Sequence, residues 1–342
     1  MAYEIAATGR ALPKNRVTND ELAKTIDTND EWIRSHTGIG SRYIAEPELT
    51  NSGLAARAAR AAIEQLAEKT GAAAETVIAS LDVIIVATVT GDYLGGVPPT
   101  SCIVQDILGA KQAACFDIEV CCTGFIYGLD IASGLLAVNR RRKRVLFISS
   151  ELLSRITDWT DRSTCVLFGD GAAAVIIEKT DAPSEGAGRR GILRSILGAD
   201  GSGGETLIVR RGGTRFPYKT GEVVDKPPHV EMDGRAVYNF AVKAITETIS
   251  LLLEEENLTV NDLAVIIPHQ ANARIVQAAQ KRLHLPEEKV YMNMEEYANT
   301  SAASIPIALD EVNRAGKLKR GDIVMFVGFG GGLTYGGTLA VW

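Results

Sequence analysis

Histidine is scarce in this chain, with four among 342 residues, and the five cysteines (Cys102, Cys115, Cys121, Cys122 and Cys165) form no CxxC pair. The two residue types share no metal-ligand spacing, so no metal site is expected. Basic charge is not in excess either: 36 Lys and Arg stand against 42 Asp and Glu, giving a net charge of −6 and a pI near 5.4. That excludes the broad positive field of a nucleic-acid or anionic-membrane binder. No apolar run approaches the roughly 20 residues that cross a bilayer. Met1-Ala2-Tyr3-Glu4-Ile5 has no basic n-region and no long apolar h-region behind it. What remains is 46 % apolar and 23 % charged residues, the composition of a soluble globular protein. A reducing, cytoplasmic setting is expected, with no nucleic-acid or membrane partner.

The chain repeats itself. Leu81-Asp82-Val83-Ile84-Ile85-Val86 and Leu263-Ala264-Val265-Ile266-Ile267-Pro268 are near-copies, each the continuous β-branched run of a strand buried on both faces. Further on, Val145-Leu146-Phe147-Ile148-Ser149 matches Ile323-Val324-Met325-Phe326-Val327, and Ala172 to Ile177 pairs with Thr334 to Trp342. Helical stretches, Leu54 to Lys69 and Val237 to Glu256, separate the strands. Strands alternating with helices predict an α/β protein with sites at the carboxyl ends of strands. The expected units are a first half, 1–180, and a second half, 185–342, joined across Thr180 to Arg190, which is rich in Ser, Gly, Pro and charge.

Three polar islands interrupt the apolar strands. The first is Cys121-Cys122-Thr123-Gly124 after Ala114 to Val120, read as a strand turning into a helix. A thiol in a helix's first turn meets unpaired N–H groups and a dipole that favour the thiolate. Strand alternation would point Cys121 and Cys122 to opposite sides, and Cys122 is nearer the helix start. The second island is Pro268-His269-Gln270-Ala271-Asn272, and the third is Asn299-Thr300-Ser301-Ala302-Ala303-Ser304. Cys122 precedes Val145 by 23 positions and Asn299 precedes Ile323 by 24, which predicts equivalent junctions for the two dipeptides Cys122-Thr123 and Asn299-Thr300. A thiol, an imidazole and an amide converging from such junctions suit acylation of the thiol followed by carbon–carbon bond formation. Gly328 to Gly337 is too glycine-dense for ordinary strand; glycine lets backbone N–H groups approach a ligand, as an oxyanion hole requires. It lacks the Gly-Lys-Ser/Thr ending of a phosphate loop.

Together these motifs resemble β-ketoacyl-acyl-carrier-protein synthase III, the initiating condensing enzyme of type II fatty-acid synthesis, on the thiolase-like fold. Asp30-Glu31-Trp32-Ile33, Thr37-Gly38-Ile39, Thr160-Asp161-Arg162 and Phe168-Gly169-Asp170-Gly171 extend the resemblance over essentially the whole chain. It implies two pseudo-repeated α/β halves in a layered αβαβα sandwich, and a homodimer. It implies that Cys122 takes an acyl group from acyl-CoA, with oxyanion donors at the N–H groups of Cys122 and Gly331. His269 and Asn299 would stabilise the enolate formed as a malonyl-acyl carrier protein loses carbon dioxide, with Phe329 as the apolar contact that disfavours the malonyl carboxylate. No cofactor is implied beyond the CoA thioester itself, since decarboxylation supplies the carbanion. Trp32 and Arg162 would sandwich the adenine of CoA, with Thr28 and Asn272 adding polar contacts. Arg274, Lys281 and Arg282 resemble the basic face that receives the acidic carrier protein.

Several positions depart from the family pattern. His36 stands where an arginine near the CoA phosphates is usual, and Asn239 replaces a docking lysine, with Lys243 nearby to compensate. Glu119 and Cys121 occupy positions that are usually small and apolar, and Glu119 is expected on the strand face of Cys121. The Gly91 to Val97 segment is about two residues longer than usual, with Val97 near the bulky pocket gate, which predicts an acyl pocket wider than acetyl. Alternatives are a synthase of the same fold with another primer or acceptor (polyketide starter, biotin precursor or long-chain ketone) and a non-catalytic paralogue that binds carrier protein. Intact Cys122, His269 and Asn299 argue against the paralogue. A thiol hydrolase would need activated water, for which the sequence offers no evident carboxylate.

Overall fold

The computed structural model describes residues 1–183, 188–210, 212–221 and 228–342, so part of the expected connector, 184–187, lies outside the described residues. Its strands are β1 (Ala2–Ala11), β2 (Asn15–Thr18), β3 (Ser41–Ile44), β4 (Val83–Ala87), β5 (Ala114–Ile118), β6 (Arg144–Glu151), β7 (Gly171–Thr180), β8 (Gly191–Ala199), β9 (Leu207–Val209), β10 (Val230–Met232), β11 (Leu263–Pro268), β12 (Ile323–Gly330) and β13 (Thr334–Val341). One sheet runs β5-β4-β6-β7-β1 and the other β11-β12-β13-β8; two short ribbons pair β2 with β3 and β9 with β10.

The two sheets share a plan. In the first, β4 is parallel to β6 and β6 antiparallel to β7; in the second, β11 is parallel to β12 and β12 antiparallel to β13. The place of β5 beside β4 is taken, beside β11, by a single parallel bridge from Val290 to Ile266.

Period-two alternation builds the layers. Ile84, Val86, Leu146 and Ile148 face outward onto the Ala-rich helix Asn51–Thr70, while Val83, Ile85, Val145 and Phe147 face inward. In the second sheet Val265, Ile267, Val324 and Phe326 face inward, and Ile266, Met325 and Val327 pack under the helices Gly234–Glu255 and Ala273–Leu283. Between the sheets lie two helices, Gly124–Val138 and Ser304–Arg314, whose Phe125, Leu129, Ile305 and Leu309 are fully buried. The result is the αβαβα sandwich. Two segments, Cys121–Val138 and Gly234–Glu255, are long and apolar enough to cross a membrane by length and composition. For the first, apolarity all round follows from its place between two sheets.

Both central helices begin at the same end of the sandwich. A Cβ on Gly124 would lie 2.9 Å from the Ala87 side chain and 3.0 Å from that of Ala302, so the two helix starts touch.

Candidate active site

Three strand ends open onto one cavity of about 490 Å³ lined by Cys122, His269, Asn299, Phe329 and Gly330. The chain leaves β5 at Ile118, ahead of the cysteines. Cys121 takes φ +45°, and Cys121–Thr123 forms a 3-10 turn that feeds the Gly124–Val138 helix. The strand alternation expected for the two cysteines therefore does not apply: a left-handed residue, costing of order 1–3 kcal/mol, separates the thiols. Nor do Glu119 and Cys121 share a strand face, because Glu119 lies beyond the strand, exposed, on a second cavity with Asn51, Thr88 and Asp117.

The Cys122 N–H falls in the first turn, which leaves it without an intrahelical acceptor. A Cβ on Gly330 would lie 2.8 Å from that nitrogen, so β12 can come this close only as glycine. Thr123 Oγ1 ties the turn down, donating to Val120 O at 2.7 Å and meeting Thr334 Oγ1 at 2.9 Å. Cys122 is 8 % exposed. Burial, and then Cys121, push its thiol up to about 12, against an opposing hydrogen bond from Ser301. The thiolate expected from the helix start is thus outweighed at rest, and the sulfur waits as a thiol.

His269, just past β11, is buried, and its Nδ1 meets Ser304 Oγ at 2.7 Å. The Gln270 N–H donates to that same oxygen at 3.3 Å. In the tautomer where the Ser304 hydroxyl donates to Nδ1, the ring proton sits on Nε2, facing away from Ser304. Burial lowers the imidazole to about 3, so it is a neutral donor. The Phe329 ring stands 5.3 Å from it, tilted by 66°. Asn299 is buried too; its Oδ1 accepts from the Ser301 N–H at 2.9 Å, which leaves the amide NH₂ to donate. Its backbone bonds to Leu167 and Gly169 hold it beside Phe168. Two neutral donors and an apolar ring therefore share one cavity with a thiol.

The same cavity reaches Trp32, His36, Asn272 and Arg274 at its outer end. Arg162 lies 4.2 Å over the Trp32 ring and donates to Asp27 O at 3.0 Å. That closes the gap in which a base was expected, and a purine would have to part the two side chains. His36 stacks on Trp32 at 4.4 Å, and its Nδ1 donates to Trp32 O at 2.7 Å, so the ring is held against its own helix. Asn272 is a helix N-cap, accepting from the Arg274 N–H at 2.8 Å. Thr28 does not line the cavity, although its hydroxyl is buried without a partner. Lys281 and Arg282 are exposed in the last turn of the helix that Arg274 begins.

Two residues lie elsewhere than expected. Val97 is 78 % exposed and lies away from the Cys122 cavity, on a segment that lines the second cavity instead. Gly330, rather than Gly331, lines the Cys122 cavity; Gly331, next along, is buried, and a Cβ on it would lie 3.1 Å from the Cys121 sulfur. The expected equivalence of Cys122-Thr123 and Asn299-Thr300 also shifts: the matching 3-10 turns are Cys121–Thr123 and Ser301–Ala303, so Asn299 sits two residues ahead of its turn. Sequence reasoning quoted Ser301 and Ser304 only as members of the third polar island and missed Glu151. Glu151 ends β6, fully buried, and the signal for it is a carboxylate close behind the apolar run Val145–Ile148. Among the described residues no group of three or more His, Cys, Asp or Glu is placed to hold a metal ion.

Comparison with known proteins agrees with this geometry. Residues 116–201 match the family model for 3-oxoacyl-[acyl-carrier-protein] synthase III, and residues 253–342 match the model for its C-terminal part. A β-ketoacyl-[acyl-carrier-protein] synthase III of Caldanaerobacter subterraneus subsp. tengcongensis is 47 % identical over all of this chain and 98 % of its own length. The corresponding protein of Natranaerobius thermophilus is 45 % identical over 99 % of each chain. The crystal structure of 3-oxoacyl-[acyl-carrier-protein] synthase III from Aquifex aeolicus VF5 superposes with a TM-score of 0.87 at 40 % identity, over the whole of both chains. With its thiolase-like sandwich, its full-length relatives and its Cys122 cavity, the chain belongs to the β-ketoacyl-[acyl-carrier-protein] synthase III family of condensing enzymes, which initiate fatty-acid synthesis.

Proposed function

We propose that this chain condenses an acyl-CoA primer with malonyl-acyl carrier protein, using Cys122, His269 and Asn299 in two separate half-reactions. The observation that carries the proposal is their placement with Phe329 on one cavity that opens past Trp32 and Arg274. In the first half-reaction the Cys122 sulfur attacks the thioester carbonyl, its oxyanion meets the Cys122 N–H and the Gly331 N–H, and CoA leaves. In the second, the His269 Nε2–H and the Asn299 amide donate to the malonyl thioester oxygen. Charge on that oxygen grows as carbon dioxide departs, so donors fixed in advance stabilise the transition state more than the ground state. Phe329 beside His269 offers the carboxylate no partner, which favours its loss. The enolate then attacks the Cys122 thioester and releases 3-oxoacyl carrier protein. The carbanion comes from decarboxylation, so the chemistry requires no cofactor beyond the thioester.

Trp32, Arg162, Thr28 and Asn272 are the proposed CoA contacts, with Arg162 swinging off Trp32 to admit the base; Arg274, Lys281 and Arg282 are the proposed carrier-protein face. The two halves, 1–180 and 185–342, are proposed as products of a duplication, in support of which the sheets share one plan. A cytoplasmic homodimer is part of the same proposal. The apolar residues Val89, Tyr93 and Val97 stand exposed along one segment, and a partner covering them would bury that surface. Intact-protein mass after exposure to acetyl-, isobutyryl-, hexanoyl- and dodecanoyl-CoA, followed by malonyl carrier protein, tests the assignment. A Cys122-dependent adduct that malonyl carrier protein discharges as 3-oxoacyl product is expected, from primers longer than acetyl as well. An adduct that it leaves untouched would refute the condensation.

A further inference from the structure

Glu151 is a buried ionisable group that the two half-reactions leave without a role. It ends β6, fully buried, and accepts from Thr90 Oγ1 at 2.6 Å, Thr88 Oγ1 at 3.2 Å and the Val89 N–H at 3.2 Å. Those three residues directly follow β4, so the first sheet fixes the carboxylate. Its Oε1 also accepts from Ser301 Oγ, at 3.2 Å, across the boundary to the second junction. Burial raises the carboxyl to about 7, so an ionisable group at this position weakens the fold at neutral pH. Stability alone therefore does not account for a carboxylate here.

Ser301 takes φ +50°, a left-handed conformation that any side chain disfavours. In that conformation its N–H donates to Asn299 Oδ1 at 2.9 Å, which leaves the amide NH₂ free to donate. The Asn299 main chain is held separately, by Leu167 and Gly169. What Ser301 governs is therefore the side-chain amide alone. An unbroken line of hydrogen bonds runs from the loop after β4, through Glu151 and Ser301, to the Asn299 amide.

We propose that Glu151 is a positioning residue for the decarboxylation half-reaction. By accepting from Ser301 Oγ it holds Ser301 left-handed, and Ser301 in turn holds the Asn299 NH₂ toward the malonyl thioester oxygen. Glu151 touches no reactant. Released from Glu151, Ser301 relaxes, its N–H leaves Asn299 Oδ1, and the amide is free to turn over. A turned amide presents an oxygen where enolate charge grows, and that destabilises the transition state it should stabilise. Acylation of Cys122 does not use the Asn299 amide, so it is insensitive to this link.

The proposal rests on Asn299 donating to the malonyl thioester, so Asn299→Ala is run beside it to separate the two. In wild type, Asn299→Ala, Ser301→Ala, Ser301→Gly and Glu151→Leu, acylation by acetyl-CoA is followed by intact mass. Carbon dioxide release from malonyl carrier protein is followed separately. Ser301→Ala and Glu151→Leu should each slow carbon dioxide release about 10-fold, in kcat with KM unchanged, while acylation stays near its wild-type rate. Ser301→Gly should recover most of that loss, since glycine takes a left-handed φ without an anchor. Combining Glu151→Leu with Ser301→Ala should add little to either alone, because both cut the same link. Carbon dioxide release near the wild-type rate in Ser301→Ala, or Ser301→Gly no faster than Ser301→Ala, overturns the positioning role. Acylation slowed in step with decarboxylation overturns it too. Should Glu151→Leu fail to fold, the two Ser301 variants decide by the same criteria. Undiminished carbon dioxide release in Asn299→Ala would overturn the assignment of Asn299 itself, and the positioning role with it.

Discussion

The Cys121–Thr123 turn and the Ser301–Ala303 turn are built alike and used differently. Each is a 3-10 turn opened by a left-handed non-glycine residue, Cys121 at φ +45° and Ser301 at φ +50°, and each leads into a buried helix of the central layer. The first turn carries the nucleophile inside itself, on the strand side of which β5 is a full strand. The second is preceded by a lone bridge at Val290 where β5 has its counterpart, and its functional groups flank the turn: Asn299 before it, Ser301 opening it and Ser304 just past it. One scaffold thus holds a thiol at the helix start and, in its counterpart, hydrogen-bonding groups around the helix start. The proposed chemistry divides along that line, acylation at the first turn and decarboxylation at the second.

Cys122→Ala is the most damaging break in the comparison. Acyl transfer and condensation should fall by about 10⁴-fold or more, while slow decarboxylation of the malonyl thioester persists, because His269 and Asn299 are untouched. Following carbon dioxide and 3-oxoacyl product separately would show whether the two losses part. The mirror experiment removes the donors. His269→Ala and Asn299→Ala should each lower condensation by roughly 10²- to 10³-fold and leave acylation of Cys122 near its wild-type rate. If either variant also failed to acylate, the division between the turns would be wrong.

Ser304 tests how the second junction is held. Its hydroxyl bonds His269 Nδ1, and a ring with its proton on Nδ1 would offer Nε2 as an acceptor to an oxygen that the proposed chemistry requires to be met by a donor. Ser304→Ala should lower condensation by about 10-fold, the scale of one lost hydrogen bond at about 1.4 kcal/mol, with KM for acetyl-CoA unchanged. A loss confined to KM would place Ser304 in substrate binding instead.

The paired strands were readable because both faces of each are buried, so their apolar runs are continuous: Val83–Ala87 and Leu263–Pro268 stand where the sequence predicts them. His269 stands directly past an apolar strand and Cys122 four residues past one, which is why both stand out in the sequence; Asn299 follows the short helix Met294–Tyr297 instead. Other features depend on partners far along the chain. Glu151 meets Ser301, 150 residues away, and His269 meets Ser304, 35 residues away. The left-handed Cys121 hid from alternation because nothing in Val120-Cys121-Cys122 breaks the strand pattern; it is the crowding of Gly330 against Cys122 that belongs with the turn. Trp32 and Arg162 do come together, in direct contact rather than across a gap, whereas Val97 lies away from the Cys122 cavity because the path of its segment is not legible from residue types.

The smallest effect sharpens the contrast between the two junctions through pH. His269, serving the second, is held by burial at about 3, against 6.5 in the unfolded chain; as pH falls below 6.5 the unfolded state gains a proton that the folded state refuses, so this residue makes stability rise with pH between 3 and 6.5. Glu151, which raises both thiols of the first, is itself raised to about 7 from 4.5; between those values the folded state binds the extra proton, so this residue makes stability fall as pH rises. From pH 5.5 to 6.5 the two slopes are each roughly 1 kcal/mol per pH unit and opposite in sign, so in the wild type they nearly cancel. Removing either should expose the other. Chemical denaturation at pH 5.5 and 6.5 should find His269→Gln losing stability across that interval relative to wild type, and Glu151→Gln gaining it. Parallel slopes in the two variants would mean that burial does not hold the imidazole and the carboxyl in opposite protonation states, and that the two junctions differ less in their electrostatics than in their geometry.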